Sequence, residues 1–284
     1  GFSSKELNDI LPEHNQGMEV IPQILTSDPE DFLDTAVKLK EYGYTEVNLN
    51  LGCPSGTVAA KGKGAGFLKD TEKLARFLGE VSEGMERENL HFSIKTRVGV
   101  ESEEEFQTLL GLYNQCPLTE LIIHPRVLTD FYKYNVRMNA FKEGFEKSRH
   151  SVCYNGDIFR RKDYDRLVKE YPDLDKIMMG RGIMMNPFLM EEIADGTSQK
   201  VSGKMSAARK ADRLEKFHRL LCDGYTHVMS GDRPVLFKMK ELWGFLIHSC
   251  PEEEKLMKKI RKAQHLAEYE GVVSELFCRM REHE

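Results

Sequence analysis

Six short apolar runs, centred near residues 20, 46, 92, 120, 151 and 176, alternate with amphipathic stretches at roughly 25–45 residues per repeat. No other feature restricts the fold as tightly. Parallel strands need a crossover of a dozen or more residues, usually a helix, and strands covered on both faces read as near-continuous apolar runs. The repeat is close to the ~30 residues per unit of a TIM (β/α)8 barrel of ~250 residues. An α/β barrel is therefore expected. Eight strands close such a barrel and six are counted, so its first two strands are missing from this sequence. Either they lie upstream of Gly1, where the chain opens on Gly-Phe rather than Met, or the sheet is open. Beyond residue 180 the strand signals stop. Residues 187–193, 205–229, 238–249 and 252–281 read as helix, and the polar stretch Gly196–Gly203 reads as a linker. Two domains follow: a barrel over 1–196 and a C-terminal all-α helical domain over 197–284.

The individual elements carry recognisable punctuation. Residues 19–25 read as a strand, although Pro22 cannot donate to a ladder. Asp28-Pro29 opens a helix to Glu41 that Gly43 closes, and Asp70 caps a helix through about Val81. Ser102-Glu103-Glu104-Glu105 gives an acidic first turn to a helix reaching about Gln115. Gly56–Gly66, with Lys61 and Lys63, reads as a mobile lid. Its glycines lack the spacing and the strand-to-helix context of a dinucleotide fingerprint. Residues 127–138 read as an irregular basic and aromatic loop.

Composition removes several classes of function. The chain has 284 residues, 40% of them apolar, yet no run of about 18 apolar residues that would span a membrane. Its six cysteines are scattered without C-x-x-C spacing, against a zinc site or a secreted disulfide framework. No H-E-x-x-H or Walker A pattern is present. A reducing cytoplasm and no metal are expected. The net charge of −5 is not that of a uniformly basic nucleic-acid binder, which leaves a local basic surface as the route to such binding. Lys61, Lys63, Arg126, Lys133, Arg137, Arg160, Arg161, Lys162 and Arg181 all fall at or after strand ends.

Barrel chemistry sits at the C-terminal ends of the strands. Reading those ends gives Gln23, Asn50 with Cys53, Lys95 with Arg97, His124 with Arg126, Asn155-Gly156-Asp157, and Gly180-Arg181. Turn chemistry alone explains small polar residues there, but not Lys-x-Arg or Asn-x-x-Cys leaving apolar strands. The last two ends occupy the place where barrels bind phosphate through backbone N–H groups; two ordinary strand-to-helix turns would read the same way.

These residues resemble a known family. Asn50-Leu51-Gly52-Cys53-Pro54, Ser93-Ile94-Lys95-Thr96-Arg97, His124-Pro125-Arg126, Asn155-Gly156-Asp157 and Gly180-Arg181-Gly182 occur in the order and spacing of the tRNA-dihydrouridine synthases, in a form similar to the bacterial members. The resemblance covers nearly the whole chain, and Asn-x-Gly-Cys-Pro with its Lys/Gly loop is the specific part. It implies a cytoplasmic enzyme, monomeric and without metal or membrane contact, that binds FMN and uses NADPH to reduce uridines of tRNA to 5,6-dihydrouridine. Hydride passes from flavin N5 to uracil C6, and Cys53 protonates C5. Hydride addition builds enolate charge, so a proton donor is needed, and ordinary thiols, titrating at about 8.5, are mostly protonated at pH 7. The resemblance further implies that Gln23, Lys95, His124, Asn155, Gly156, Asp157, Gly180 and Arg181 hold the flavin. Asn50, Arg97, Arg126, Lys61 and Lys63 would contact substrate, with the helical domain binding RNA. Two other readings compete: an FMN barrel oxidoreductase acting on a small molecule, and a non-catalytic RNA-binding barrel.

Overall fold

A computed structural model of the chain describes residues 1–197, 205–249 and 253–282. The linker expected at Gly196–Gly203 lies mostly outside the described residues, as does Cys250. Six strands form one sheet: β1 (Gln23–Ile24), β2 (Glu46–Leu51), β3 (His91–Gly99), β4 (Glu120–Val127), β5 (Ser151–Asn155) and β6 (Lys176–Met178). They lie in sequence order, each parallel to the next. Helices Pro29–Glu41, Thr71–Arg87, Glu105–Tyr113, Met138–Lys147 and Arg161–Glu170 intervene. This is the order and direction of strands in an arc of a (β/α)8 barrel.

The helices start where local chemistry allows. Asp28 accepts from the N–H groups of Glu30 and Asp31, with Pro29 in the first turn, and Asp70 accepts from Lys73 N–H. Each cap satisfies donors that the first turn leaves unpaired and stabilises by about 1 kcal/mol. Glu105 does something the acidic run did not announce. Its carboxylate accepts from Val100, Glu101 and Ser102 N–H at 2.8–2.9 Å, clamping the turn between β3 and its helix.

The two-residue period of the strands sorts the sheet into two faces. Phe92 meets Phe32 edge-on at 6.3 Å and Tyr154 meets Phe141 at 4.8 Å, so their face is the one the helices cover. Val47, Leu49, Leu51, Ile94, Leu121, Ile123 and Val152 share that face and are buried. Burying each such side chain stabilises by about 1.5–3 kcal/mol. Alternate residues give the other face: Asn48, Asn50, Ser93, Lys95, Arg97, His124 and Arg126, with Ile122 and Cys153.

Three expected elements differ from their sequence reading. The strand expected over 19–25 pairs only at Gln23–Ile24. Pro22 still accepts from Asn48 N–H at 2.8 Å, but lacking an N–H it cannot continue the ladder. The loop over 56–66 is folded: Gly56–Ala59 is helical, and Gly64–Lys69 is a 3-10 turn. The single helix expected over 252–281 is two, Glu254–Lys262 and Leu266–Glu282, because Ala263 takes extended backbone (φ −51, ψ 132).

The described residues group into two compact units, Gly1–Gly156 with Tyr171–Met178, and Asp157–Glu170 with Met179–Glu284. The second contains helices Arg181–Met185, Leu189–Thr197, Ala207–Val228 and Asp232–Leu246 as well as the last two. Its core gathers Phe188, Leu214, Met239, Trp243, Leu246, Ile260, Tyr269 and Phe277. Inside it Trp243 Nε1 donates to Tyr269 Oη at 2.8 Å, and Tyr269 Oη lies 2.5 Å from His218 Nε2. An indole N–H only donates, so the tyrosine hydroxyl is left to donate to a neutral imidazole. No helix among the described residues is long and apolar enough to cross a membrane.

Candidate active site

A chain of side-chain amides crosses one face of β1, β2 and β3. Asn50 Nδ2 donates to Gln23 Oε1 at 2.6 Å, Gln23 Nε2 to Asn48 Oδ1 at 2.7 Å, and Asn48 Nδ2 to Ser93 Oγ at 2.9 Å. Asn50 Oδ1 meanwhile accepts from the N–H groups of Gly52 and Cys53, both at 3.0 Å. This turn fixes Cys53 where β2 ends. Asn50, expected to read substrate, is engaged on both amide atoms and holds the turn that carries the cysteine. Asn48 and Ser93 were not singled out in the sequence, although the Asn-x-Asn and Ser-x-Lys alternation carried the signal.

Cys53 is a free, half-buried thiol. The following segment packs onto it. Ala65 N–H donates to Cys53 O at 3.0 Å. Gly64 has φ +57, and a Cβ there would lie 2.9 Å from both Cys53 Cβ and Cys53 O. The expected looseness of these glycines is thus corrected: at Gly64 a glycine is demanded by close approach and a left-handed backbone. Lys61 is exposed and Lys63 half-buried on this folded segment.

Lys95 is the register partner of Asn50 on the neighbouring strand. Burial first, then the charge of Arg97, pull its pKa from 10.5 down to about 8. The thiols of Cys153 and Cys53 are close enough to act on it in the opposite sense. Cys153 itself is buried, and that burial pushes its thiol up to about 12, so it is inert.

Arg126 departs from its expected place on an open basic rim: it is almost wholly buried, as is Arg97, which was expected to contact substrate. Arg97 Nε donates to Gly52 O at 3.0 Å, Nη1 to Val127 O at 2.8 Å and Nη2 to Phe131 O at 2.9 Å. Desolvation lowers its pKa from the ordinary arginine value. Arg126 Nε donates to Tyr134 O at 2.7 Å, and Nη1 to His124 Nε2 at 3.0 Å. A guanidinium only donates, so His124 presents a bare Nε2 there. His124 is buried and stacks on Tyr132 at 5.9 Å, while Arg97 lies over the same ring at 5.3 Å. Asp130 closes the arrangement: it takes two bonds from Arg137, both 2.9 Å, and one from Val127 N–H. That pairing with Arg137 holds its carboxyl below the usual range. Both arginines therefore bind the segment after β4, and Arg97 ties it to the residue preceding Cys53.

In the first unit, Asn155 Nδ2 donates to Met178 O at 2.9 Å, binding the end of β5 to β6. Gly156 lies against Tyr154, whose hydroxyl would sit 2.0 Å from an added Cβ. In the second unit, Arg181 pairs with Asp157 at 2.8 Å and stacks over Phe159 at 5.4 Å. Gly180 is exposed and precedes the short helix Arg181–Met185. No group of three or more His, Cys, Asp or Glu able to hold a metal occurs among the described residues.

Comparison with known proteins agrees with this arrangement of motifs. A sequence model of dihydrouridine synthase (Dus) matches residues 3–278. A probable tRNA-dihydrouridine synthase of Staphylococcus aureus is 30% identical over 179 residues, covering 61% of this chain and 53% of that protein. A Staphylococcus epidermidis protein of the same description is 30% identical over 210 residues, 70% of this chain and 63% of that one. Probable tRNA-dihydrouridine synthase 2 of Bacillus subtilis is 30% identical over 179 residues, with 61% and 53% covered. The chain spans about half the length of the curated relatives it matches. Among solved structures, morphinone reductase is similar with a TM-score of 0.42 at 16% identity, over 62% of this chain and 50% of that one. With a match that runs almost from end to end and carries the Cys53 turn within it, the chain belongs to the dihydrouridine synthase family.

Proposed function

We propose that this chain is the working part of a flavin-dependent enzyme that reduces uridines in tRNA to 5,6-dihydrouridine. The observation that carries the reading is Cys53, held by Asn50 at the end of β2 beside Lys95, its neighbour on β3. A bound FMN would supply a hydride to C6 of the uracil. Cys53 Sγ–H then delivers the proton to C5; the C5–C6 double bond becomes single, and the thiolate left behind is reprotonated from solvent. The fixed turn spares the thiol a search for its geometry.

The donor set fits a flavin. Among the described residues no carboxylate pairs with Lys95, and a half-buried ammonium without a counter-ion suits the anionic edge of a reduced isoalloxazine. Gln23 and His124 complete the polar surroundings of the ring. Asn155, Gly156, Asp157, Gly180 and Arg181 are assigned to the ribityl chain and phosphate. Lys61 and Lys63 are assigned to the RNA backbone, and residues 197–284 to a helical RNA-binding domain. NADPH is the reductant, and the cytoplasm is the compartment.

The test is reconstitution. The full protein loaded with FMN should form dihydrouridine in tRNA from cells that lack the gene, at the expense of NADPH, as read by nucleoside mass spectrometry. A loaded protein that oxidises NADPH yet leaves such tRNA unchanged would overturn the reading in favour of a small-molecule reductase.

A further inference from the structure

We propose that the segment 128–137 is a stacking platform for unpaired bases of an RNA strand, with Phe131 and Tyr134 as its rings and Lys133 as its phosphate contact. The inference rests on the reading of the chain as a tRNA-modifying enzyme and adds where the strand around the target uridine is gripped. Three of four consecutive residues are exposed aromatics: Phe131 is 44% exposed, Tyr132 50% and Tyr134 63%, with the exposed Lys133 among them. Such a run is costly to leave in water unless it has a partner. Bases stack on any aromatic face, and a cation between rings suits the phosphodiester that joins them.

The backbone gives the independent observation. Phe131 adopts φ 49, ψ −102, the geometry of the first central residue of a type II′ turn, where glycine is the favoured residue. A phenylalanine there is strained. Strain of this kind persists only where the surroundings over-determine it, and it clusters at functional sites. Here they do. Arg97 holds Phe131 O, Arg126 holds Tyr134 O, and Asp130 with Arg137 closes the loop between. Tyr132 is the anchor, laid on His124 and Arg97. Two buried arginines thus fix the backbone on either side of two outward rings. The loop leaves the C-terminal end of β4, the end of the sheet at which Cys53 leaves β2, and Arg97 bonds to both segments. A strand whose uridine reaches Cys53 arrives at the end of the sheet from which this loop leaves.

The experiment measures binding of a short fluorescent uridine-rich single strand to the full protein, with its duplex and inorganic polyphosphate as competitors. Tyr134→Ala should weaken single-strand binding about 5- to 150-fold, the range for loss of one base–aromatic stack. Phe131→Gly should do the same while its Tm stays equal or rises, because glycine relieves the φ. A merely structural Phe131 could not give these opposite signs. The duplex and polyphosphate should compete poorly. Wild-type affinity in both variants, equal competition by polyphosphate, or no single-strand binding by the wild type would each overturn the platform. Dihydrouridine formation on saturating tRNA, measured alongside, separates the two failures: if it survives, only the platform falls.

Discussion

Cys53 owes its position to Asn50, and Lys95 owes its poise to what it lacks. A lysine drawn down to about 8 by burial and by Arg97 is ready to be recharged by any anion that docks beside it. The sign is fixed: an anion raises the pKa, so between about pH 8 and 10 loading of reduced flavin takes up protons. Heats of binding of reduced FMN, measured without oxygen, should therefore differ between buffers of different ionisation enthalpy in that window and agree in Lys95→Met; equal heats for the wild type would contradict the assignment. The residue types at the strand ends were legible in the sequence because a period of two places Asn50, Lys95, Arg97, His124 and Arg126 on one face. What those side chains hold was not legible. The carbonyls that engage Arg97 belong to Gly52, Val127 and Phe131, distant in sequence and brought together only by the return of the chain after β4. An arginine near an active centre reads as a substrate contact until its acceptors are seen.

Among the elements, the segment after β2 is the one whose reading changed most. Glycine and alanine content suggested mobility, but Gly64 lies against Cys53 with φ +57. Gly64→Ala would therefore introduce both a strained left-handed backbone and a contact of 2.9 Å with Cys53. It should destabilise by about 1–3 kcal/mol in urea unfolding and raise the alkylation rate of Cys53; an unchanged midpoint and rate would mean the packing is not required. Composition alone does not distinguish a glycine kept for freedom from one kept for close approach. Helix starts were legible, because Asp28-Pro29 and Asp70 act locally. The shortening of β1 to Gln23–Ile24 was half legible, since Pro22 removes a donor but says nothing of where pairing resumes. The break at Ala263 had no local sign; neither glycine nor proline marks it.

At the scale of the molecule, alternation gave the α/β sheet and its strand order, and the loss of strand signals after residue 180 gave the helical part. The buried polar group at the centre of that part was not legible, because three residues, the outermost 51 apart in sequence, meet only in the folded core. Burial lowers the His218 pKa from 6.5 to about 4. In the unfolded chain His218 binds a proton below about 6.5, while in the folded protein it stays neutral to about 4. Stability from this group is thus present above pH 6.5 and lost as pH falls through that window. The helical unit should melt at lower temperature at pH 5 than at pH 7, and His218→Gln should flatten the difference; an equal slope in the variant would assign the acid sensitivity elsewhere. The central claim, that Cys53 is the proton donor of a flavin reductase of tRNA, is tested most directly by single-turnover formation of dihydrouridine from pre-reduced, FMN-loaded protein carrying Cys53→Ala. Full flavin occupancy, ordinary oxidation of NADPH and a loss of about 10²- to 10⁴-fold in dihydrouridine formation are expected. Turnover at the wild-type rate would contradict it.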